Sequence, residues 1–345
     1  YFVPWVKGIP MYISNHIELA WKKPELHRMM SNENPNPPSP SVMEAIMKFG
    51  EMSNRYPDQG LVVRSQIAEI NGLDGPENVM LGNGSSEVFD NIFRCFLQPG
   101  EEVIQHTPCF GIYKLRCNIL GGKLVSVPMV YKDRQLLYDP GAILEAITEK
   151  TKIIVIANPN NPTGNFMDPE HFVTIAETGI PFVIDEAYIE YAGLSRSRVH
   201  LIKKYKNVLI TRTLSKAYGL AGLRFGYALG DKDVIGQISA ALLPWNVSTI
   251  SMWAGLAALE DVDGLRERVE FNNRDNWQYR REPDGRESHS RVFWYGDVSS
   301  IDDFGSSASC PEIFRQLVFL CNNFDPLSFL KVEIKNRHYQ STNFC

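Results

Sequence analysis

Short apolar runs alternate with helically patterned stretches through the middle of the chain. Val79-Met80-Leu81, Ile153-Ile154-Val155-Ile156, Ile180-Pro181-Phe182-Val183-Ile184 and Val208-Leu209-Ile210 are apolar runs of strand length. Near-continuous runs of this kind, interleaved with helices, predict an α/β domain built on a mainly parallel sheet. The first run leads through Gly82-Asn83-Gly84-Ser85-Ser86-Glu87 into a helix carrying Val88, Ile92, Phe93 and Phe96. Each run is followed by a polar motif, so the motifs collect along the carboxyl edge, where such sheets bind ligands. Apolar spacing from Val42 to Phe49 predicts a further helix. Residues 1 to about 40 are rich in Pro and Asn and predict an extended arm, because proline disfavours helix in the residue before it. The alternation stops near Glu270. Between Arg266 and Arg291 the charged residues follow no helical order, and Glu282-Pro283-Asp284-Gly285-Arg286 reads as loop. The later apolar segments, around Phe314 and Phe329, are short.

Composition narrows the partners. With 345 residues, 44% of them hydrophobic, the chain can bury one large core or two smaller ones. A net charge of −5 leaves no electrostatic footprint for nucleic acid or an anionic membrane. No apolar stretch reaches the roughly 18 residues of a membrane span. The stretch Tyr1 to Gly8 lacks the basic-then-apolar order of a secretory signal. Six cysteines without C-x-x-C pairs predict reduced thiols, and seven histidines without H-E-x-x-H predict no metal site. The expected setting is cytoplasmic.

The chemistry centres on Lys216, in Thr213-Leu214-Ser215-Lys216-Ala217-Tyr218-Gly219, directly after a strand end. A lysine there, flanked by hydroxyls and followed by Arg224, suits an amine that forms a Schiff base with an aldehyde cofactor, beside a phosphate pocket. Asp185 closes a strand; it is either a helix-capping acid or the ion-pair partner of a pyridine nitrogen. Tyr188 is either an amphipathic core residue or a hydrogen-bond partner of a ring hydroxyl. Asn161, inside Asn158-Pro159-Asn160-Asn161-Pro162-Thr163-Gly164, is either part of a turn or an amide held against the same hydroxyl. Ser85 and Ser86 open a helix, where backbone N–H groups and the dipole bind phosphate. Ser215 and Arg224 offer a hydroxyl and a bidentate cation to that phosphate. Phe110 is either a core aromatic or a ring that stacks on the cofactor.

These motifs resemble those of the class I/II (fold type I) pyridoxal-phosphate aminotransferases: Asp-Glu-Ala-Tyr, Asn-Pro-Asn-Asn-Pro-Thr-Gly, and Thr-Leu-Ser-Lys followed by Gly-Leu-Arg. Ser31-Asn32-Glu33-Asn34-Pro35, Asn54-Arg55-Tyr56-Pro57 and Leu220 to Gly226 are most similar to the histidinol-phosphate aminotransferases. The resemblance runs from about residue 30 to about residue 272. It implies a homodimer that exchanges an amino group between histidinol phosphate and 2-oxoglutarate on pyridoxal 5'-phosphate. It also implies a large domain with a mainly parallel sheet and a small domain, divided here as arm 1–44, cofactor domain 45–270 and C-terminal segment 271–345. Lys216 would bind the cofactor and move protons. Asp185 would pair with the ring nitrogen, and Tyr188 and Asn161 with the ring oxygen. Phe110 would stack on the ring, where most relatives have Tyr. Ser85, Ser86, Thr213, Ser215 and Arg224 would hold the phosphate, joined by Tyr56 from the other subunit.

Two departures from the family matter. Asn36 and Pro37 stand where relatives carry an aromatic residue and a glycine that line the substrate pocket. Beyond about residue 272 no Leu-Arg-hydrophobic string supplies the arginine that clamps the substrate, and Arg337 has the wrong context. The expectation is a foreign tail, from a frameshift, a mis-spliced exon or a chain join. Three other readings stay open: an aromatic or other amino-acid aminotransferase, a threonine-phosphate-decarboxylase-like enzyme, and a cofactor-binding protein without turnover.

Overall fold

A computed structural model describes residues 1–9, 15–24, 31–132 and 135–278. All of them fall within one unit, Tyr1–Asp297; a second, Val298–Cys345, lies outside the described residues. In chain order the strands are β1 (Val79–Asn83), β2 (Glu102–Thr107), β3 (Lys123–Pro128), β4 (Val130–Lys132), β5 (Gln135–Leu137), β6 (Thr151–Ala157), β7 (Phe182–Asp185), β8 (Val208–Thr213) and β9 (Phe225–Leu229). The helices are α1 (Asn15–Lys22), α2 (Pro40–Gly50), α3 (Leu61–Ile70), α4 (Ser85–Phe96), α5 (Ile112–Ile119), α6 (Pro140–Glu145), α7 (Pro169–Ala176), α8 (Ile189–Ala192), α9 (Lys232–Ser239), α10 (Thr249–Glu260) and α11 (Val262–Gln278).

The main sheet has seven strands in the order β1-β9-β8-β7-β6-β2-β3. The run from β8 through β7, β6 and β2 to β3 is parallel, and β9 lies antiparallel to both neighbours. The apolar runs are continuous because both sheet faces are covered. Successive residues feed opposite cores: Ile154 and Ile156 pack on the side of Phe172 and Met252, and Ile153 and Val155 on the side of Phe89 and Phe93. Each of these isoleucines is fully buried, worth ~1.5–3 kcal/mol per side chain.

Two expectations are corrected. The N-terminal arm is not extended throughout: Pro4–Val6 form a 3-10 turn and α1 is helical. Pro4 opens its turn at a position that needs no N–H donor, and α1 contains no proline. The residues after Arg266 are helical as far as Gln278. The helix begins at the Asp261 carboxylate, which accepts from the Gly264 N–H at 3.0 Å. Arg and Glu are good helix formers, so a narrow apolar stripe suffices; Leu265 packs on the core. The loop expected at Glu282 to Arg286, the apolar segments near Phe314 and Phe329, and Arg337 lie outside the described residues. No helix among the described residues is long and apolar enough to cross a membrane, and no group of His, Cys, Asp and Glu among them could hold a metal ion.

Candidate active site

The turns after β1, β6, β7 and β8 and the loop before α5 meet at the carboxyl edge of the sheet. Asp185 is the last residue of β7 and is buried. Its Oδ2 accepts from the Tyr113 hydroxyl at 2.6 Å, and its Oδ1 from the Thr211 hydroxyl at 3.2 Å and the Ala187 N–H at 3.1 Å. All three donors are neutral. Burial dominates and lifts its pKa to about 6, although the three hydrogen bonds pull it down. Beside it, the Tyr188 hydroxyl accepts from Asn161 Nδ2 at 3.3 Å and from Asn32 Nδ2 at 2.7 Å.

Lys216, part-buried after β8, donates from Nζ to the Ser31 carbonyl at 2.6 Å, and its Nζ lies 5.7 Å from the centre of the Tyr188 ring. Burial lowers the pKa of its amine to about 8; Glu33 and Asp185 oppose the shift and Arg224 assists it. The N-terminal arm is pinned to this turn again by Asn34, whose Nδ2 donates to the Ala217 carbonyl at 3.1 Å.

The start of α4 has no side-chain cap, which leaves the N–H groups of Ser85 and Ser86 to an outside acceptor. A Cβ on Gly84 would strike the Arg224 guanidinium, and one on Gly226 would strike the Ser85 amide. Glycine at both positions lets β9 pass close enough to bring Arg224 over the helix start. Arg224 itself has φ 54, a left-handed backbone uncommon for a long side chain. Its Nη1 lies 3.5 Å from Ser215 Oγ, which accepts from the Thr213 hydroxyl at 2.9 Å. A helix N-terminus, two hydroxyls and a guanidinium together suit a phosphate-sized anion.

Phe110 is exposed and meets Tyr113 edge-on, with ring centres 6.3 Å apart. Tyr56 stands apart: it is exposed, stacks on Trp245 at 4.4 Å and has no described contact with the anion cradle. A cleft opens beside Tyr188, walled by Glu33, Asn36, Tyr191, Arg268 and Phe271. Sequence reasoning missed the groups that orient the site: Tyr113 and Thr211 on Asp185, Asn32 on Tyr188 and the Ser31 carbonyl on Lys216. Two signals could have found some of them: Ser31 and Asn32 lie in the Ser31-Asn32-Glu33-Asn34-Pro35 string, and Tyr113 lies three residues beyond Phe110 in the same segment.

The donor set accepts pyridoxal phosphate on its own terms. Asp185 is a buried carboxylate whose described partners are all neutral, which suits a cationic ring nitrogen. The α4 cradle suits the phosphate, and the Asn161–Tyr188 pair suits a ring oxygen.

Residues 25–282 match the family model described as aminotransferase class I and II. Among curated proteins, histidinol-phosphate aminotransferase 1 of Bacillus cereus is 39% identical over 259 residues, covering 73% of this chain and 68% of its own. An aromatic amino acid aminotransferase of Mycolicibacterium smegmatis is 37% identical over 249 residues, covering 70% of this chain and 68% of its own. Among solved structures, histidinol-phosphate aminotransferase from Sinorhizobium meliloti, in complex with pyridoxal-5'-phosphate, superposes with a TM-score of 0.71 at 27% identity. That match covers 80% of this chain and 75% of the other.

Proposed function

Because the chain belongs to the class I and II aminotransferase family, we propose that this transaminase moves an amino group between histidinol phosphate and 2-oxoglutarate. The observation that carries the reading is the meeting, at one sheet edge, of a depressed-pKa lysine, a buried carboxylate with neutral partners and an anion cradle. Its cofactor is pyridoxal phosphate. Asp185 would hold the ring nitrogen, Asn161 and Tyr188 the ring oxygen, and Phe110 one face of the ring. Ser85, Ser86, Thr213, Ser215 and Arg224 would hold the phosphate. When bound, the cofactor supplies an aldehyde and an electron-accepting ring that stabilises charge on the substrate carbon.

The chain's own residues supply the rest. Lys216 is deprotonated more often near neutral pH than an exposed lysine, so its Nζ can take a proton from a substrate carbon and return it. Asp185 stays anionic most readily beside a cation, which ties its charge state to occupancy of the site. The Asn161 and Asn32 amides direct the Tyr188 hydroxyl inward. Arg224 and the α4 N-terminus neutralise a dianion. Tyr56 fits a homodimer in which a second copy brings it to the phosphate; its ring and that of Trp245 are stacked and exposed. The division into arm, cofactor domain and C-terminal segment belongs to the same reading, as does a cytoplasmic setting. Histidinol phosphate is favoured by the Bacillus cereus relative, and an aromatic amino acid is the second reading, favoured by the Mycolicibacterium smegmatis relative.

The test is the absorption spectrum of the full chain with pyridoxal phosphate, followed after addition of histidinol phosphate or phenylalanine. The expected result is a visible band that is absent in Lys216→Ala and lost faster with histidinol phosphate. Faster loss with phenylalanine would transfer the assignment to the aromatic substrates. A band that persists with both would leave a cofactor site without this turnover.

A further inference from the structure

His106 is used by nothing derived so far. It is the next-to-last residue of β2, 1% exposed, and packs edge-on against Tyr138 with ring centres 4.8 Å apart. Its Nε2 lies 2.8 Å from Asn160 Oδ1. Asn160, also 1% exposed, donates from Nδ2 to the Pro108 carbonyl at 3.0 Å and to Thr163 Oγ1 at 2.8 Å. A carbonyl can only accept, so the Asn160 amide nitrogen must face Pro108 and its oxygen must face His106. The proton on the His106 ring therefore sits on Nε2. Burial holds the imidazole neutral, with its pKa near 4. The Asn160 backbone is tied as well, its N–H donating to Asn165 at 2.9 Å and its carbonyl accepting from Gly164 at 2.9 Å.

One side chain thus joins the end of β2, the loop before α5 and the turn after β6. Phe110 lies two residues beyond Pro108, and Asn161 is the neighbour of Asn160. We propose that His106 and Asn160 form a positioning pair that holds the Phe110 loop and the Asn161 turn at one separation. The stacking face and the ring-oxygen partner of the site then move as a unit. The proposal rests on the cofactor reading given above. A histidine buried only as packing would contribute to stability without coupling these two segments.

The test compares His106→Phe, which keeps the ring against Tyr138 but removes the donor, with His106→Gln, which restores one. In the cofactor-free protein, amide hydrogen exchange should quicken together at residues 109–111 and 160–164 in His106→Phe. The expected change is roughly five- to tenfold, the scale of one lost hydrogen bond, and His106→Gln should reverse it. With pyridoxal phosphate, the visible circular dichroism of the Lys216-dependent band should change in His106→Phe and recover in His106→Gln. Faster exchange in the 160–164 turn alone, or unchanged dichroism in a folded His106→Phe, overturns the proposal. A wild type that gives no band overturns the cofactor reading instead, and the exchange arm then decides the pair by itself.

Discussion

Asp185 and Glu186 are consecutive and both buried, yet the fold surrounds them in opposite ways. Glu186 accepts from the Arg212 guanidinium at 3.0 Å, from the Ser197 hydroxyl at 2.8 Å and from the Arg198 N–H at 2.7 Å. Its charge is matched inside the protein. Among the described residues Asp185 accepts hydrogen bonds from the neutral donors Tyr113, Thr211 and Ala187 and from no cation, and burial lifts its pKa to about 6. Adjacent residues near a strand end face opposite sides, so one carboxylate is taken up by Arg212 and Ser197 and the other by Tyr113 and Thr211. A buried acid with its cation beside it belongs to the architecture. A buried acid with no cation hydrogen-bonded to it among the described residues suits a cation that arrives with a ligand, which is the role the proposed function gives to Asp185.

The contrast can be broken from the Glu186 side first. Arg212→Met would strand Glu186 as an uncompensated buried charge and should cost ~3–5 kcal/mol in urea unfolding. A loss below ~1 kcal/mol would mean that Glu186 does not depend on its partner, and the distinction would collapse.

From the other side the sign reverses. The folded pKa of Asp185 lies above its ordinary 3.8, so its proton stabilises the folded state. That contribution is complete below about pH 4 and is lost as pH rises through about 6. In the cofactor-free protein, Asp185→Asn should therefore be more stable than wild type at pH 8, by up to ~3 kcal/mol, with the gain gone near pH 4. The same variant should bind pyridoxal phosphate more weakly, because the anion facing the ring nitrogen is missing. Destabilisation at both pH values would show that Asp185 is as well matched as Glu186.

Tyr113→Phe sharpens the comparison with the smallest effect. It removes one donor to Asp185 at a cost of ~1 kcal/mol above pH 6. It should also move the pH at which stability falls upward, since that bond holds the carboxyl down. An unmoved midpoint in thermal scans across pH would assign Tyr113 to packing alone.

Much of the fold was legible because burial on both faces leaves an unmistakable apolar run, and β1, β6, β7 and β8 all carry one. The gathering of Asn161, Asp185 and Lys216 at one sheet edge was legible for a related reason: each follows such a run closely. The polarity of β9 was not legible, since Phe225 to Leu229 reads the same whether the strand runs parallel or antiparallel. Nor was α11, whose charged residues hide a helix that needs few apolar positions. The supporting groups Tyr113, Thr211 and Asn32 escaped because each acts through a partner far away in the chain; Tyr113 and Asp185, for instance, are separated by 72 residues.

The sequence alone determined the local chemistry here: a lysine at a strand end, small residues at a helix start and an amide inside a proline-rich turn. Those follow from short-range rules of period, capping and turn formation. Tertiary structure decided which acid is braced by Arg212 and which is left to the site, how low the Lys216 pKa falls, and that His106 locks onto Asn160. These depend on desolvation and on the meeting of distant segments, and both are properties of the packed chain.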